Sequence, residues 1–431
     1  TINGIPYNDA ESQGTFLVNL PDLASSAGSI QIQRGVGSST NGTGAFGGSI
    51  HINTNEVDSA RYLLINQSYG SYNSRKSTAI WNSGLFGKHF LFNGRISEIA
   101  SDGYIDRSQS RLRSFYTSSA YIDSKQSLRL NIFSGQEKTH AAWFGINQVT
   151  LDSNRTYNPA GSEKPGLPYD NETDNYTQTH YQLFYNRKVN NHFRYNITGF
   201  LVRGKGYFEQ YKAYQSLADY GINSNDTSDL IRQLWLDNYF YGSVFSAQYQ
   251  KNKDRLLFGG TVNNYTGKHY GIILNTITTG LIPENYQWYN VPAQKSEWAL
   301  YGKWEHPLGK GWETYLDLQC RNVNYTINGF EKNPALIVKS NYLFFNPKAG
   351  ITYLKGGNKF YFSFSRASKE PNRDDFETGL KEKPKPEQLN DFETGFLQHR
   401  KKYEWGLNLF YMLYKDQLVL TGKVNEVYAY T

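Results

Sequence analysis

Cysteine is almost absent from this chain, since Cys320 is the only one in 431 residues. A single cysteine excludes a disulfide framework and a cysteine-based metal cluster. No stretch of about 18 apolar residues occurs, which excludes a transmembrane helix. Catalytic signatures are also missing, because the sequence contains neither a Gly-x-Ser-x-Gly elbow nor a His-Glu-x-x-His pair. We therefore expect no enzyme, no bound metal and no cofactor.

A strong charge of either sign is lacking as well. The net charge is +7, and the basic residues are scattered through turns and strands, which argues against a nucleic-acid-binding surface. A membrane surface rich in anionic lipid remains compatible with this charge. The chain starts at Thr1 in a structured-looking run without a signal peptide and stops without a closing element. We interpret it as a fragment that lacks sequence at both ends.

Aromatic residues, in contrast, are abundant. They make up 16% of the chain and include 35 tyrosines, although only 38% of residues are hydrophobic and the mean hydropathy is -0.64. A soluble protein this polar usually has fewer aromatic residues. A transmembrane β-barrel reconciles the two facts, because aromatic girdles and an apolar band lie outside while polar groups line the inside.

Segments of alternating polarity recur from about residue 59 onward, with the length of a tilted membrane strand. In one of them Leu128 and Leu130 alternate with Arg129 and Asn131. The pattern predicts about 15 antiparallel strands. Alternation also occurs in soluble β-sandwiches, so it does not decide the fold class by itself.

The connections between these segments are more specific, because short turns and long loops take turns along the chain. In an antiparallel barrel all short turns then lie at one rim and all long loops at the other, which is the layout of outer-membrane barrels. The short turns lie near residues 87–89, 123–126, 189–192, 251–254, 308–311, 355–358 and 399–402, and the long loops near 138–172, 204–234, 266–294, 324–343 and 367–388.

Two distant stretches resemble one family. Residues 30–54 form a strand, a glycine-rich turn and a second strand, and they look like the end of the plug domain of TonB-dependent outer-membrane receptors. Far downstream, residues 364–374 and 385–395 resemble a barrel signature of the same receptors. The family order, plug before barrel, is kept. In their detailed sequence, these stretches are similar to ferric-citrate and other iron-complex receptors of the Bacteroidetes type.

The resemblance implies an all-β fold with a transmembrane antiparallel β-barrel of about 22 strands when complete, roughly 15 of them present. Residues 1–57 would be the C-terminal part of the plug and residues 58–431 an incomplete barrel. It further implies a receptor in the outer membrane of a Gram-negative bacterium that imports a scarce solute. TonB, an inner-membrane partner, would drive the plug rearrangement, although the TonB box is not in this chain.

The resemblance also suggests an ion pair that locks plug to barrel. Arg34 follows an alternating strand, and its planar guanidinium is suited to a carboxylate partner. Glu393, in the barrel signature, is the candidate partner. The simpler interpretation of Arg34 is an exposed arginine at a strand end.

Candidate ligand-binding residues lie in the predicted long loops, where binding residues tend to occur on a rigid scaffold. Tyrosine and tryptophan at these positions also fit an interfacial girdle. Basic residues there could attract an anionic ferric chelate or contact lipopolysaccharide phosphates. The candidates are His140, Trp143, Arg203, Lys205, Tyr211, His269, Tyr270 and Trp288.

Four functions remain open. The first is an importer of a ferric chelate or siderophore, and the second is an importer of glycan, peptide or cobalamin, including the SusC type that works with a lipoprotein lid. A passive porin is disfavoured by the plug-like first 57 residues. A soluble β-sandwich adhesin is disfavoured by the alternation of short and long connections. The expected partners are TonB, the solute and outer-membrane lipid or lipopolysaccharide, with no nucleic acid.

Overall fold

The structure is a computed structural model that describes residues 1–42, 44–276, 282–378 and 383–419. Among these residues, no helix combines the length and the apolar character needed to cross a bilayer. The helices are short: α1 (Gln148–Ser153), α2 (Arg373–Thr378) and the 3-10 turns Leu17–Asn19, Leu23–Ser26, Ser39–Asn41 and Leu217–Tyr220. The remaining regular structure consists of β-strands, as the alternating sequence predicts.

The strands form two sheets. A small antiparallel pair contains β1 (Ser29–Arg34) and β2 (Gly48–Asn53). The large sheet runs in chain order from β3 to β17, each strand antiparallel to its neighbours. Its strands are β3 (Arg61–Gly70), β4 (Ser74–Ser83), β5 (Phe90–Ser101), β6 (Ser110–Ile122), β7 (Gln126–His140), β8 (Thr173–Lys188), β9 (Phe193–Ser216), β10 (Thr227–Lys251), β11 (Asp254–Thr276), β12 (Tyr286–Gly309), β13 (Trp312–Asn328), β14 (Ile337–Lys355), β15 (Asn358–Lys369), β16 (Glu387–His399) and β17 (Glu404–Lys415). We call this sheet the wall.

The two faces of the wall have the opposite polarity to those of a sheet in a soluble protein. On β7, Leu128 and Leu130 are 46% and 41% exposed, whereas Arg129 and Asn131 are 6% and 0% exposed. Successive side chains of a strand point to opposite faces. The wall therefore turns apolar side chains outward and polar side chains inward, as a transmembrane barrel does and a soluble sheet does not.

The connections separate into two rims, as expected. The short-turn rim contains residues 123–125, 189–192, 252–253, 310–311 and 356–357, and the long-loop rim contains residues 141–172, 217–226 and 329–336. Three of the predicted long loops, 204–234, 266–294 and 324–343, are for the most part strand, because β9 to β12 have 23 to 25 residues each and β13 and β14 have 17 and 19. These strands extend beyond the ten or so residues that cross a bilayer.

The N-terminal segment, residues 1–57, packs against the inward face of the wall through three apolar contacts. In each contact, one or more aliphatic side chains of the segment pack on a different pair of strands. Ile2, Leu20 and Leu23 pack on Tyr116 and Phe133; Ile5 packs on Phe184, Phe200 and Val202; Val36 packs on Ala367 and Leu389. Burying one such side chain contributes roughly 1.5–3 kcal/mol.

Polar contacts join the same segment to further strands. Asn3 donates to Gln182 on β8, and the Ser39 amide donates to Asp317 on β13 over 2.9 Å. Because one segment touches the same face of strands from β4 to β16, the wall must curve around it. Within the described residues the edge strands β3 and β17 are not paired with each other, so the curved wall is open there.

Candidate functional site

A buried carboxylate in the N-terminal segment organises the first part of the site. The Glu11 side chain lies 2.7 Å from His269 Nε2 and accepts hydrogen bonds from the hydroxyls of Tyr265, at 2.8 Å, and Tyr325, at 3.2 Å. Arg373 donates to it over 2.8 Å. Burial alone would raise the pKa of Glu11, but His269, Arg373 and Tyr265 outweigh it and lower the pKa to about 2.

A second buried carboxylate, Glu370, follows β15 and lies beside the same part of the segment. Arg321 donates to both of its oxygens, over 2.8 and 3.0 Å, and Lys295 Nζ lies 2.8 Å away. Burial opposes ionisation, but the charges of Arg321 and Lys295 hold the pKa of Glu370 well below its usual range. Lys295 also donates to the Ala10 carbonyl and Gln13 to the Glu370 carbonyl, so this network joins segment and wall.

A third carboxylate, Asp22, attaches the segment to strands β4 and β5. Arg95 lies 3.1 Å from it, Lys76 forms a further ion pair, and Ser97 and Thr78 donate over 2.7 and 2.9 Å. Burial raises the pKa of Asp22, but the hydrogen bonds from Lys76 and the hydroxyls lower it to about 2. Glu11 and Asp22 therefore form two charged attachments between the segment and the wall, and the Glu370 network adds the hydrogen bonds of Lys295 to Ala10 and of Gln13 to Glu370.

A cavity of about 360 Å³ lies between residues 7–19 of the segment and strands β7 to β11. Its wall residues lie near the long-loop rim, since Glu137 is close to the end of β7 and Asp174 is close to the start of β8. Aromatic and acidic side chains dominate its lining. The lining includes Tyr7, Asp9, Glu11, Phe16, Glu137, Asp174, Tyr176, Tyr207, Phe208, Leu234, Leu236, Tyr265, His269, Arg373 and Asp374.

The acidic side of this cavity has unused binding capacity. The Glu137 side chain is buried, with 4% exposed, and its carboxylate makes no hydrogen bond or ion pair within the described part of the chain. Asp174, which also lines the cavity, is likewise without a side-chain partner among those residues. No group of three or more metal-ligating side chains is found in the described ranges.

Among the candidate ligand-binding residues, His269 lines the cavity and Tyr270, Arg203 and Lys205 do not. Arg203 and Lys205 alternate with Val202 and Gly204, which are buried on the inward face. Arg203 pairs with Asp237 over 2.7 Å, and Tyr270 is stacked on outward-facing Trp235. These three side chains belong to the outward face of the wall.

The other candidates lie around the cavity without facing it directly. Trp143 is 57% exposed in the long-loop rim, with its ring 5.5 Å from that of Phe208, a cavity residue. His140 Nδ1 lies 3.0 Å from the Gln109 carbonyl oxygen.

Two more candidates have partners on β10 and in the 3-10 turn Leu217–Tyr220. Tyr211 is buried and donates to Asp229 over 2.5 Å. The Trp288 ring packs on Tyr220 at 5.2 Å. Whether any of the eight side chains contacts a solute stays a prediction.

The proposed lock between Arg34 and Glu393 is not formed in the described residues. The Arg34 side chain is exposed, whereas Glu393 lies next to Gly35. Gly35 has a φ of +68°, and a Cβ there would lie 2.6 Å from the Glu393 Oε1 atom and 2.7 Å from Asp391. Glycine is required at this position by its backbone conformation and by the close approach of the two carboxylates.

The fold and site define a curved antiparallel β-wall of the outer-membrane type that encloses an N-terminal segment. A family model described as "TonB dependent receptor-like, beta-barrel" matches residues 150–431. The chain therefore belongs to the family of TonB-dependent receptors. Proteins of this family are outer-membrane receptors and transporters of Gram-negative bacteria, not enzymes, and they generally bind solutes and interact with TonB.

Solved structures of similar fold include metal-uptake proteins. The ferric-catecholate import receptor Fiu of E. coli K12, in its open form, gives a TM-score of 0.68 at 14% identity and covers 96% of this chain and 68% of Fiu. The siderophore receptor PiuA of Acinetobacter baumannii gives 0.66 at 14%, covering 95% and 64%. The copper transporter OprC gives 0.69 at 11%, covering 89% and 58%.

At these identities the likeness concerns the fold. The chain spans 58 to 68% of the length of these three structures. No curated protein matches the chain.

Sequence reasoning missed most of the cavity. Glu11, Glu137 and Asp174 are single acidic residues in different parts of the chain, and no local spacing relates them. Arg373 lies in the stretch that resembles the barrel signature, which was the one available signal. The inward position of Glu137 could also have been read from the alternation of β7.

Proposed function

We propose that this chain is part of an outer-membrane receptor that imports a scarce solute, a ferric chelate or siderophore, with energy delivered through TonB. Residues 1–57 would be the C-terminal part of its plug and residues 58–431 part of its barrel. The proposal is supported by the family and by the fold shared with Fiu and PiuA, which are described as receptors for ferric catecholates and siderophores.

The observation that carries the proposal is the position of the cavity. It is bounded by the N-terminal segment on one side and by the wall near the long-loop rim on the other. In outer-membrane barrels the long loops are extracellular. A solute that arrives from outside would therefore contact the segment that TonB is to move, so that binding and transport are joined in one place.

The charge of the cavity limits which solutes would bind there. Within the described part of the chain Glu137 and Asp174 have no side-chain partner, and Asp9 and Asp374 add two more carboxylates, whereas Arg373 is paired with Glu11. Like charges repel strongly where water is partly excluded. We propose a ferric chelate that is neutral or positively charged in preference to a strongly anionic one such as ferric citrate.

Transport would require the charged attachments between the segment and the wall to be broken. Glu11 and Asp22 hold the segment through hydrogen-bonded ion pairs, and such pairs fix a geometry better than they add stability. We propose that a pull transmitted by TonB breaks some of these contacts and opens a path along the inward face of the wall. The polar lining of that face would let water replace the lost hydrogen bonds.

The test is solute binding to the purified full-length receptor, followed by tryptophan fluorescence, because Trp143 contacts the cavity residue Phe208. We expect saturable quenching by a ferric trihydroxamate that carries an ammonium group, and no quenching by the iron-free compound. Glu137→Gln should weaken this binding, whereas Glu313→Gln, at an exposed position on β13, should not.

The other outcomes separate the alternatives. Stronger binding of ferric citrate would overturn the charge argument but would still support the proposal that the receptor imports a ferric chelate. Binding of a glycan, a peptide, cobalamin or a copper chelate, with no ferric chelate bound, would keep the receptor class and reject the iron assignment. Copper is included because one similar structure is described as a copper transporter.

A further inference from the structure

We propose that Glu137 and Asp174 form a binding site for one organic ammonium group, which enters in exchange for a proton held by Glu137. Both side chains line the cavity between the N-terminal segment and the wall. The inference deepens the proposed function and takes from it only that this cavity receives a solute. It depends neither on iron nor on the chemistry of the rest of the solute.

The pairing of β7 with β8 brings the two carboxylates onto one face. Glu137 is directly opposite Tyr176, and Asp174 precedes Tyr176 by two residues on the same strand. Side chains two residues apart in a strand point to the same face. Diagonal neighbours on one face of an antiparallel pair are close enough for their side chains to interact. Glu137 and Asp174 therefore open into the same part of the cavity.

This end of β7 stands above the apolar band of the wall. The outward side chains on either side of Glu137 are Gln136 and Lys138, and both are exposed. Toward the short-turn rim the outward side chains of the same strand, Leu128 and Leu130, are apolar. The Glu137 carboxyl group is therefore outside the membrane-spanning part of the strand, and it can exchange its proton with water in the cavity.

Glu137 is buried without a counter-charge. Its side chain is 4% exposed and has no hydrogen bond or ion pair within the part of the chain that the structure describes. The two basic side chains of the cavity, Arg373 and His269, both contact Glu11 instead. None of the described groups that surround Glu137 carries a positive charge. They are Tyr7, Asp9, Val18 and Asn19 of the segment, Leu112 of β6, Asp174 and Tyr176 of β8 and Gly206 of β9.

The lack of a counter-charge decides the protonation state of the site. Burial disfavours the charged form of a carboxyl group, and a second carboxylate nearby disfavours it further. Burial and the charge of Asp174 raise the pKa of Glu137 to about 8. Burial also raises the pKa of Asp174. At neutral pH the free site therefore keeps a proton on Glu137.

An ammonium group is a cation that fits this exchange. It has three hydrogen-bond donors, so it can serve both carboxylates at once. When it enters, the O–H bond of Glu137 breaks, the proton passes to water in the cavity, and the resulting carboxylate pairs with the incoming charge. The net charge of the site is unchanged. The rings of Phe16, Tyr176 and Phe208 line the same cavity, and aromatic faces attract cations.

The exchange makes binding depend on pH. Below the pKa of Glu137 each ammonium group that binds releases a proton, so its affinity rises by up to about tenfold per pH unit. Above about pH 8 Glu137 is already ionised, and the affinity no longer changes. By the same linkage, a bound ammonium group lowers the pKa of Glu137.

The experiment follows the infrared absorption of protonated carboxyl groups in the full-length receptor as the pH is raised. The difference between the wild type and Glu137→Gln isolates the signal of Glu137. The probe is benzylammonium, which carries one ammonium group and one ring, and benzyl alcohol is its uncharged counterpart. Without a probe we expect a midpoint at about pH 8. Saturating benzylammonium should lower this midpoint by at least about one pH unit, and benzyl alcohol should not change it.

Two further variants test whether Glu137 titrates as the neighbour of Asp174, each compared with the same variant carrying Glu137→Gln. Asp174→Asn removes the neighbouring charge, so the midpoint of Glu137 should fall and benzylammonium should bind more weakly. The matched control is Asp170→Asn, at an exposed position of the long-loop rim outside the cavity, and it should change neither quantity. Equal midpoints in the two variants would contradict the pairing of Glu137 with Asp174.

A second measurement needs no variant. Calorimetry of benzylammonium binding to the wild type, in buffers of different ionisation enthalpy, counts the protons that are released, and we expect about one at pH 7. Binding without proton release, no binding at any pH, or a midpoint that benzylammonium and benzyl alcohol affect equally would overturn the proposal.

Failure of the proposed function would be recognised separately, because the probe contains no iron. A receptor that shows the proton exchange but binds no ferric chelate by tryptophan fluorescence would reject iron import and keep the ammonium site. A receptor that binds a ferric chelate but shows no exchange with benzylammonium would reject the ammonium site and keep the import function.

Discussion

Glu11 joins the N-terminal segment to three distant parts of the chain. Its carboxylate is 3% exposed and contacts side chains of β11, β13 and the start of α2. A buried carboxylate is tolerated when its charge is paired and its oxygens are hydrogen-bonded. Removing one member of such a group leaves the others uncompensated, which costs more than the net value of the contact.

We predict that Glu11→Gln weakens the attachment of the N-terminal segment by about 3 kcal/mol, because Arg373 then remains buried without its counter-charge. The measurement is hydrogen exchange of residues 1–57 in the full-length receptor. The exchange of wall strands that have no contact with the segment should not change.

The matched control for this prediction is Glu56→Gln, since Glu56 is an exposed carboxylate in the same segment. Its hydrogen exchange should equal that of the wild type. Unchanged protection of the segment in Glu11→Gln would mean that the apolar contacts of Ile2, Ile5 and Val36 and the remaining polar attachments hold it without Glu11.

The partners of single residues were the least predictable part of the structure. Nothing in a local pattern relates Glu11 to Arg373, which lies 362 positions away. The pairing of Arg34 with Glu393 stays a prediction, and in the described residues Glu393 instead approaches Gly35. Such contacts depend on how the segment lies within the wall, and alternation does not encode that.

Among the elements, the strands were predictable and their lengths were not. Alternation of Leu128 and Leu130 with Arg129 and Asn131 predicts both the strand and its faces. The pattern weakens in the upper part of β9 to β12, because a strand above the bilayer needs no apolar face. That is why the extensions of these strands were expected to be loops.

A substitution on β7 tests the outward assignment of its apolar face. We predict that Leu130→Arg destabilises the protein in a lipid bilayer by about 2–4 kcal/mol, since a charge would then face the hydrocarbon. Gln136→Arg, on the same face and strand but near the long-loop rim, should cost much less. The measurement is reversible unfolding in vesicles, and equal costs at both positions would contradict the height assigned to the band.

The N-terminal segment should respond to acid before the wall does. The pKa of Glu11 and of Asp22 is about 2 in the folded protein, against ordinary values of 4.5 and 3.8. The unfolded segment therefore takes up protons first, and the stabilisation from both groups is complete above about pH 5 and is lost as the pH falls toward 2.

We predict that proteolysis of residues 1–57 accelerates over this pH range while the β-sheet circular dichroism signal persists. An acid-stable protease is added at each pH, and the fragments are identified by mass. The double variant Glu11→Gln/Asp22→Asn should show a weaker pH dependence. A segment equally protected at all these pH values would refute the role given to the two carboxylates.

For the whole molecule, the sequence predicted the architecture well. Within the described residues the large sheet contains 15 strands, the number expected from the alternating segments, and the two rims differ in connection length as predicted. The cavity was not predicted, because it exists only where the segment and five strands meet. Its acidic residues become recognisable as a group once the curvature of the wall is known.

A cross-link between segment and wall tests their relative movement. Asn3 and Gln182 are hydrogen-bonded over 2.9 Å, and the Asn3→Cys/Gln182→Cys variant can be bridged with a short bis-thiol reagent in a Cys320→Ser background. We predict that the bridge abolishes solute uptake and leaves solute binding unchanged. Each single cysteine, treated in the same way, should transport normally, and so should the pair after the bridge is reduced.

The distribution of the attachments also has a mechanical consequence. In chain order the segment is held on β6 and β7 through Ile2, on β8 and β9 through Ile5, near β13 through Glu11, on β4 and β5 through Asp22, and on β15 and β16 through Val36. A force applied to one end of the segment would load these contacts in succession and not all at once. The peak force would then be set by the strongest single attachment, so a weak pull sustained over a long distance can do the work that a short, strong pull would otherwise require.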